Sequence, residues 1–246
     1  ICFVLGAGAS KSSGIKTGGE LAAVWLEDIK ERMSDRPVLF QQFIDDNGID
    51  INNPGVHYST IYDECFGNDY DTGVEFINKE MEEAKPGYGY SVLAQILSKK
   101  HHNIVITTNF DSLTEEALFT YTPKRPLVCG HEALASFARP SLNRPLIVKI
   151  HRDRLFNPQS QSEEIGNISN AWVDALNQIF QNSTPIFIGY GGNDGSLMGY
   201  LDRVNSFNNV FWCERKGVTI TERVKNFLEK KNGKLVEIDG FDELMF

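Results

Sequence analysis

The sequence predicts an open, doubly wound α/β fold on a mainly parallel sheet. Three observations predict it. Six short apolar runs recur along the 246 residues, each rich in β-branched or aromatic residues and closed by a turn residue. Between most of them lie segments whose apolar residues fall at helical spacing. A glycine-containing turn follows the first run directly, at the kind of strand end where such sheets meet their ligands. Strands alternating with helices are the pattern of a parallel sheet joined by crossovers.

Ile1–Leu5 is the first strand. Thr17-Gly18-Gly19-Glu20 then reads as a capping box opening a helix, with Leu21, Val24, Trp25 and Ile29 on one stripe. The stretch from about 34 to 90 breaks the rhythm. It is polar, rich in Asp, Asn, Gly and Tyr, with one helix expected over Gly73–Ala84. We read it as an inserted, mainly helical subdomain covering one side of the sheet. Ser91–Lys100 carries Val92, Leu93, Ile96 and Leu97 and leads into a strand over Ile104–Thr108. Asp111–Thr120, with Leu113, Ala117 and Leu118, is the next helix, and Leu146–Ile150 the next strand. Asn170–Gln181 presents Trp172, Ala175, Leu176, Ile179 and Phe180 before a strand over Ile186–Gly189. Val210–Cys213 and Leu235–Ile238 are the last two strands. Between them Thr219-Ile220-Thr221-Glu222 reads as a second capping box ahead of Val224, Phe227 and Leu228. One domain over 1–246 with this insertion accounts for the length.

Composition excludes several classes. At 41% apolar the chain is too hydrophobic for a disordered one. A net charge of −9 argues against gripping nucleic acid directly, because phosphates need concentrated Lys and Arg. No apolar run approaches the ~20 residues of a membrane-spanning helix. Cys2, Cys65, Cys129 and Cys213 lie far apart with no C-x-x-C, which excludes the usual zinc ribbon and thioredoxin-type motif. No metal ligands are assigned and no zinc is expected. A reducing cytoplasm is the simplest compartment for such cysteines. The chain opens at Ile1 inside an apolar run, so we expect it to be the N-terminal part of a longer protein.

Five strand ends carry polar or glycine-rich motifs. Gly6-Ala7-Gly8-Ala9-Ser10 follows the first strand; Gly6 and Gly8 let backbone N–H groups approach a pyrophosphate, or simply form a tight turn. Thr107-Thr108-Asn109-Phe110-Asp111 ends the second, where Asn109 and Asp111 suit a ribose or an amide, or Asp111 caps the next helix. Lys149-Ile150-His151 ends the third; a histidine there is a general base or a structural residue. Gly189-Tyr190-Gly191-Gly192-Asn193-Asp194 follows the fourth, for close approach of a ligand or as a flexible turn. Glu214, after the fifth, is a ribose acceptor or a solvated charge.

The ordered set resembles the SIR2 (sirtuin-like) superfamily, most of all the SIR2-like NAD-consuming domains at the N-terminus of bacterial anti-phage defence proteins. The resemblance extends over nearly the whole chain and includes Ser13-Gly14-Ile15-Lys16-Thr17, where the family commonly has Ile-Pro-Thr. It implies a Rossmann-like SIR2 fold and NAD+ as substrate. Residue by residue, it implies that Gly6, Ala7, Gly8 and Ser10 line the NAD+ phosphates and nearby ribose, with Thr17 part of the same motif. It further implies that Asn109 holds the nicotinamide ribose and attacking water, and that Asp111 lies beside the carboxamide. His151 would be the catalytic histidine, with Gly189, Gly191 and Glu214 around the adenosine ribose. Two departures stand out. Arg152 follows the histidine where the family usually has Gly, and the two cysteine pairs of deacetylating sirtuins are missing.

The implied reaction is hydrolysis of NAD+ to nicotinamide and ADP-ribose. A binding module without turnover and a zinc-free deacylase are the alternatives. Unregulated NADase activity would be toxic, so the resemblance also implies a gate. We expect a homo-oligomer formed through regions outside these residues and a phage-derived or protein activator, with no membrane and no nucleic acid as partner.

Overall fold

The computed structural model describes residues 1–99, 101–140, 143–151, 170–193, 196–204 and 209–246. Seven parallel strands form one sheet: β1 (Cys2–Leu5), β2 (Ile104–Thr107), β3 (Leu127–Cys129), β4 (Leu146–Lys149), β5 (Pro185–Ile188), β6 (Phe211–Arg215) and β7 (Lys234–Ile238). Their order is β3-β4-β2-β1-β5-β6-β7. The chain winds outward from β1 through β2 to one edge, then crosses back to β5 and winds to the other. This is the expected doubly wound sheet, and its crossing point lies between β1 and β5. Strand β3 is an addition. Its three residues, between Pro126 and Gly130, form too short an apolar run to read as a strand from sequence.

Both sheet faces are apolar, as a buried parallel sheet requires. Cys2, Val4, Ile104, Ile106, Leu146 and Val148 enter one core; Phe3, Leu5, Val105 and Ile147 alternate into the other. The first face is covered by α7 (Asn170–Asn182), α8 (Ser196–Arg203) and α9 (Glu222–Lys230). The second is covered by α5 (Tyr88–Leu97), α6 (Leu113–Tyr121) and the short terminal α10 (Phe241–Leu244).

A third core is wholly helical. It joins α1 (Gly18–Arg32), α2 (Pro37–Asn47), α3 (Tyr58–Phe66) and α4 (Tyr70–Glu82). Trp25 is its hub, with the rings of Tyr58, Tyr62, Phe66 and Phe76 at centroid distances of 5.0 to 5.9 Å. The cluster therefore takes in α1, and the stretch expected to hold one helix holds three. Its polarity misled: α2 buries only Ile44, so most of that helix reads as loop. Met81 packs against both this core and the sheet's second core.

Two of the helix starts carry threonine caps. At α1 the capping box is complete: Thr17 Oγ1 accepts from Glu20 N–H at 3.3 Å and Glu20 Oε2 accepts from Thr17 N–H at 2.8 Å. At α9 the cap is Thr221, whose Oγ1 accepts from Val224 N–H, so the box expected from Thr219 does not form. Helix α5 starts three residues before the expected Ser91. Among the described residues no helix is long and apolar enough to cross a membrane.

Candidate active site

The crossing point is built by two interlocking loops. After β1 the chain turns through Gly6 into a 3-10 segment, Ala7–Ser13. After β5 it turns at Gly189, whose φ is +64°. Gly6 N–H donates to Ile188 O at 3.1 Å and Gly8 N–H to Gly189 O at 2.9 Å. A Cβ on Gly6 would lie 2.5 Å from Gly189 O, and one on Gly189 would lie 2.2 Å from Ala9 N. The glycines are thus required by loop-on-loop packing. Ala9 N–H donates to Gly6 O, so the donors of Gly6, Gly8 and Ala9 are already engaged. Ala7, half-buried, heads the turn, and Gly191 is exposed beyond Tyr190.

Ser10 is completely buried at the centre of a hydrogen-bond cluster. Its hydroxyl donates to Asp111 Oδ2 at 2.7 Å. With its one proton given away, Ser10 Oγ accepts from Tyr90 Oη at 2.8 Å and from Asn109 Nδ2 at 3.0 Å. Asn109 Nδ2 also donates to Gly6 O at 3.1 Å. A carbonyl only accepts, so this contact fixes the amide orientation. Both amide protons are then committed, and Asn109 Oδ1 is buried without a hydrogen-bond partner. Asp111 serves both the helix start and the site: its Oδ1 accepts from the N–H of Leu113, the first residue of α6, at 3.1 Å although the N-cap position is Ser112, while Oδ2 holds Ser10. Burial, reinforced by Asp111, pushes the Tyr90 phenol well above its ordinary pKa.

Strand pairing aligns the second corner. Thr107 pairs with Lys149 across β2 and β4, so Asn109 and His151 each stand two residues beyond a matched pair. His151, half-buried, shares its Nε2 with Ser196 Oγ at 2.7 Å, at the first residue of α8. The Phe110 ring lies 6.3 Å from the imidazole. Beneath them Lys149, 3% exposed, reaches Phe110 O and Glu115 Oε1, each at 3.3 Å. Burial raises the Glu115 pKa despite the lysine.

Asp111 and Phe110 also line a 680 Å³ cleft, with Ile15 beside them and Glu75, Lys79 and Glu82 of α4 along its other wall. Counting Glu116, its charged groups among the described residues are four acids against one lysine. Such a cleft favours a cationic group and repels phosphate.

The structure therefore gathers Gly6, Ser10, Asn109, Asp111 and Gly189 through direct contacts and sets His151 on the adjoining strand end. Thr17 instead uses its hydroxyl to cap α1, and Glu214, half-buried on β6, accepts from Arg215 N–H at 2.9 Å. Arg152 and Asp194 lie outside the described residues. Tyr90, Glu115 and the α4 wall were missed from sequence; Lys149 was seen only as part of the motif that leads to His151. None stands in a glycine turn or beyond a strand end, although the repeat Gly87-Tyr88-Gly89-Tyr90 was a usable signal. Among the described residues no three His, Cys, Asp or Glu side chains form a metal-holding group. All four cysteines are free thiols, and burial pushes Cys2 up to about 12 and Cys65 and Cys213 to about 11.

No curated protein matches the chain. A family model, that of the SIR2-like domain, matches residues 103–236, just over half of the chain. The matched stretch contains Asn109, Asp111, His151, Gly189, Gly191 and Glu214, and the sheet brings Gly6–Ser10 to it from outside. With the seven-stranded parallel sheet, that match places this chain in the SIR2-like domain family, whose members are NAD-dependent enzymes.

Proposed function

We propose that this domain hydrolyses NAD+ to nicotinamide and ADP-ribose. The observation that carries the reading is Asn109 Oδ1, a buried acceptor with no partner, at the same rim as His151. An unpaired buried acceptor is costly, and a hydroxyl or water bound there would relieve it. The ribose of NAD+ and the attacking water both supply such donors. Asn109 can only accept there, so it would orient an O–H group. His151 would take the proton that water loses as its oxygen bonds to the ribose carbon, while the carbon–nitrogen bond breaks and its electron pair leaves with neutral nicotinamide. The acidic cleft at Asp111 suits the positively charged nicotinamide ring better than the pyrophosphate. With three backbone donors of the glycine turn already engaged, phosphate contacts would fall to Ala7 and its surroundings.

NAD+ loss would harm the host cell, so we further propose an effector held silent until triggered. A homo-oligomer and a phage-derived or protein activator would supply the switch, in the cytoplasm and in defence against phage. The test is to incubate NAD+ with the full-length protein, with and without phage lysate, and to separate the products by chromatography. Nicotinamide and ADP-ribose are expected in equal amounts, and both at strongly reduced rates from His151→Ala or Asn109→Ala. Binding of NAD+ with no product under either condition would overturn the hydrolysis reading. An acetyl-peptide arm yielding O-acetyl-ADP-ribose would replace it with deacylation.

A further inference from the structure

Tyr90 belongs to no strand-end motif, yet its hydroxyl meets Ser10 Oγ at 2.8 Å and it is 1% exposed. The terminal turn holds it from behind. Phe241, itself 5% exposed, packs edge-on against the Tyr90 ring at 5.0 Å. Asp242 Oδ1 accepts from Gly89 N–H at 2.9 Å and from Ser12 Oγ at 3.1 Å, tying the first turn of α5 to the 3-10 segment that carries Ser10. Space here is tight: a Cβ on Gly89 would lie 2.7 Å from Asp242 Oδ1 and 2.8 Å from the Phe241 ring.

We infer that Tyr90, clamped by Phe241 and Asp242, is a positioning residue for Asn109, acting through Ser10. The hydrogen-bond count carries the inference. Ser10 has one proton and two lone pairs. With Tyr90 donating into one lone pair, Asn109 Nδ2 into the other, and the proton directed at Asp111, one arrangement satisfies all four groups. Without the Tyr90 hydroxyl, Ser10 Oγ has a vacant lone pair and is held only by Asp111 and Asn109, so the Ser10 end of the Asn109 amide loosens while Gly6 O still anchors the other. Tyr90 itself touches no reacting atom. The inference rests on the reading that Asn109 serves NAD+ cleavage.

The test compares wild type, Tyr90→Phe, Ser10→Ala and the double variant as full-length protein. Tyr90→Phe keeps the ring on Phe241, so folding is preserved. We expect its kcat for nicotinamide release to fall about tenfold with little change in KM, because the amide it orients acts mainly in the transition state. The double variant should be no slower than Ser10→Ala alone, because Tyr90 acts only through that hydroxyl. A second readout needs no turnover: the Asn109 side-chain amide resonances, identified by their loss in Asn109→Asp, should shift in Tyr90→Phe. Unshifted resonances, or losses that multiply in the double variant, would overturn the inference. Shifted resonances in a protein that never releases nicotinamide would uphold it and overturn the hydrolysis reading instead.

Discussion

Ser10 and His151 occupy neighbouring corners of one sheet rim and are held in opposite ways. Ser10 is fully buried, with all its hydrogen-bonding capacity matched by Tyr90, Asn109 and Asp111. His151 is half-buried and meets Ser196 at the start of a helix. In the proposed reaction the difference would separate orientation from proton transfer. A group that orients gains from a saturated, water-free setting, where one arrangement prevails. A group that exchanges protons needs access to water and room to change charge.

This contrast can be broken, and the largest effect is expected at its half-buried corner. His151→Ala should lower nicotinamide release by about 10³-fold. Its unfolding free energy should change by less than about 1 kcal/mol, read from urea denaturation. A large stability loss there would erase the contrast. Lys149→Met tests the support common to both corners. It strands Glu115 beside an apolar side chain and should cost about 3 kcal/mol or more in the same assay. Glu115→Gln sharpens the point through pH. Burial raises the Glu115 pKa, so the native state holds its proton more tightly than the unfolded chain. Wild-type stability should therefore decline as pH rises from the ordinary glutamate range through the raised value, and the variant should lack that slope.

At the buried corner, Asn109→Asp removes both amide donors and sets a carboxylate against Gly6 O. About 2 kcal/mol of stability should go with the activity, unlike at His151. The smallest effect belongs to a residue outside both corners. Thr17→Ala should cost about 1 kcal/mol through its lost cap and leave the KM for NAD+ unchanged. The same cap is acid-sensitive. Lys11 and the Thr17 N–H hold the Glu20 carboxyl down to about 2. Its contribution is therefore present above the ordinary glutamate range and is lost as pH falls toward 2, which an acid titration of the melting temperature will show.

Local patterns carried much of this architecture. β-Branched runs and the Thr17–Glu20 box are short-range signals, and the strands and first cap follow from them. Strand-end position likewise pointed to Asn109, Asp111 and His151. What stayed illegible depended on distant partners. Tyr90 is 80 residues from Ser10, and its role exists only once α5 packs on the sheet. Helix α2, with one fully buried residue, has almost no stripe to read. The glycines at 6, 8 and 189 were visible, but their need for one another was not, because it arises where β5 crosses back beside β1.

The pairing of Thr107 with Lys149 has a consequence for how this protein can change over time. The spacing of Asn109 and His151 is written in backbone register rather than in any one side chain. Conservative exchanges inside β2 or β4 leave that spacing alone, so drift there is cheap. Inserting or deleting a single residue before His151 is another matter. It would slide the imidazole by about 3.3 Å and turn it to the opposite face of the sheet. The lineage of such a domain should therefore tolerate volume-conserving apolar exchanges in these strands and almost no length variation, with insertions and deletions confined to the helical connections.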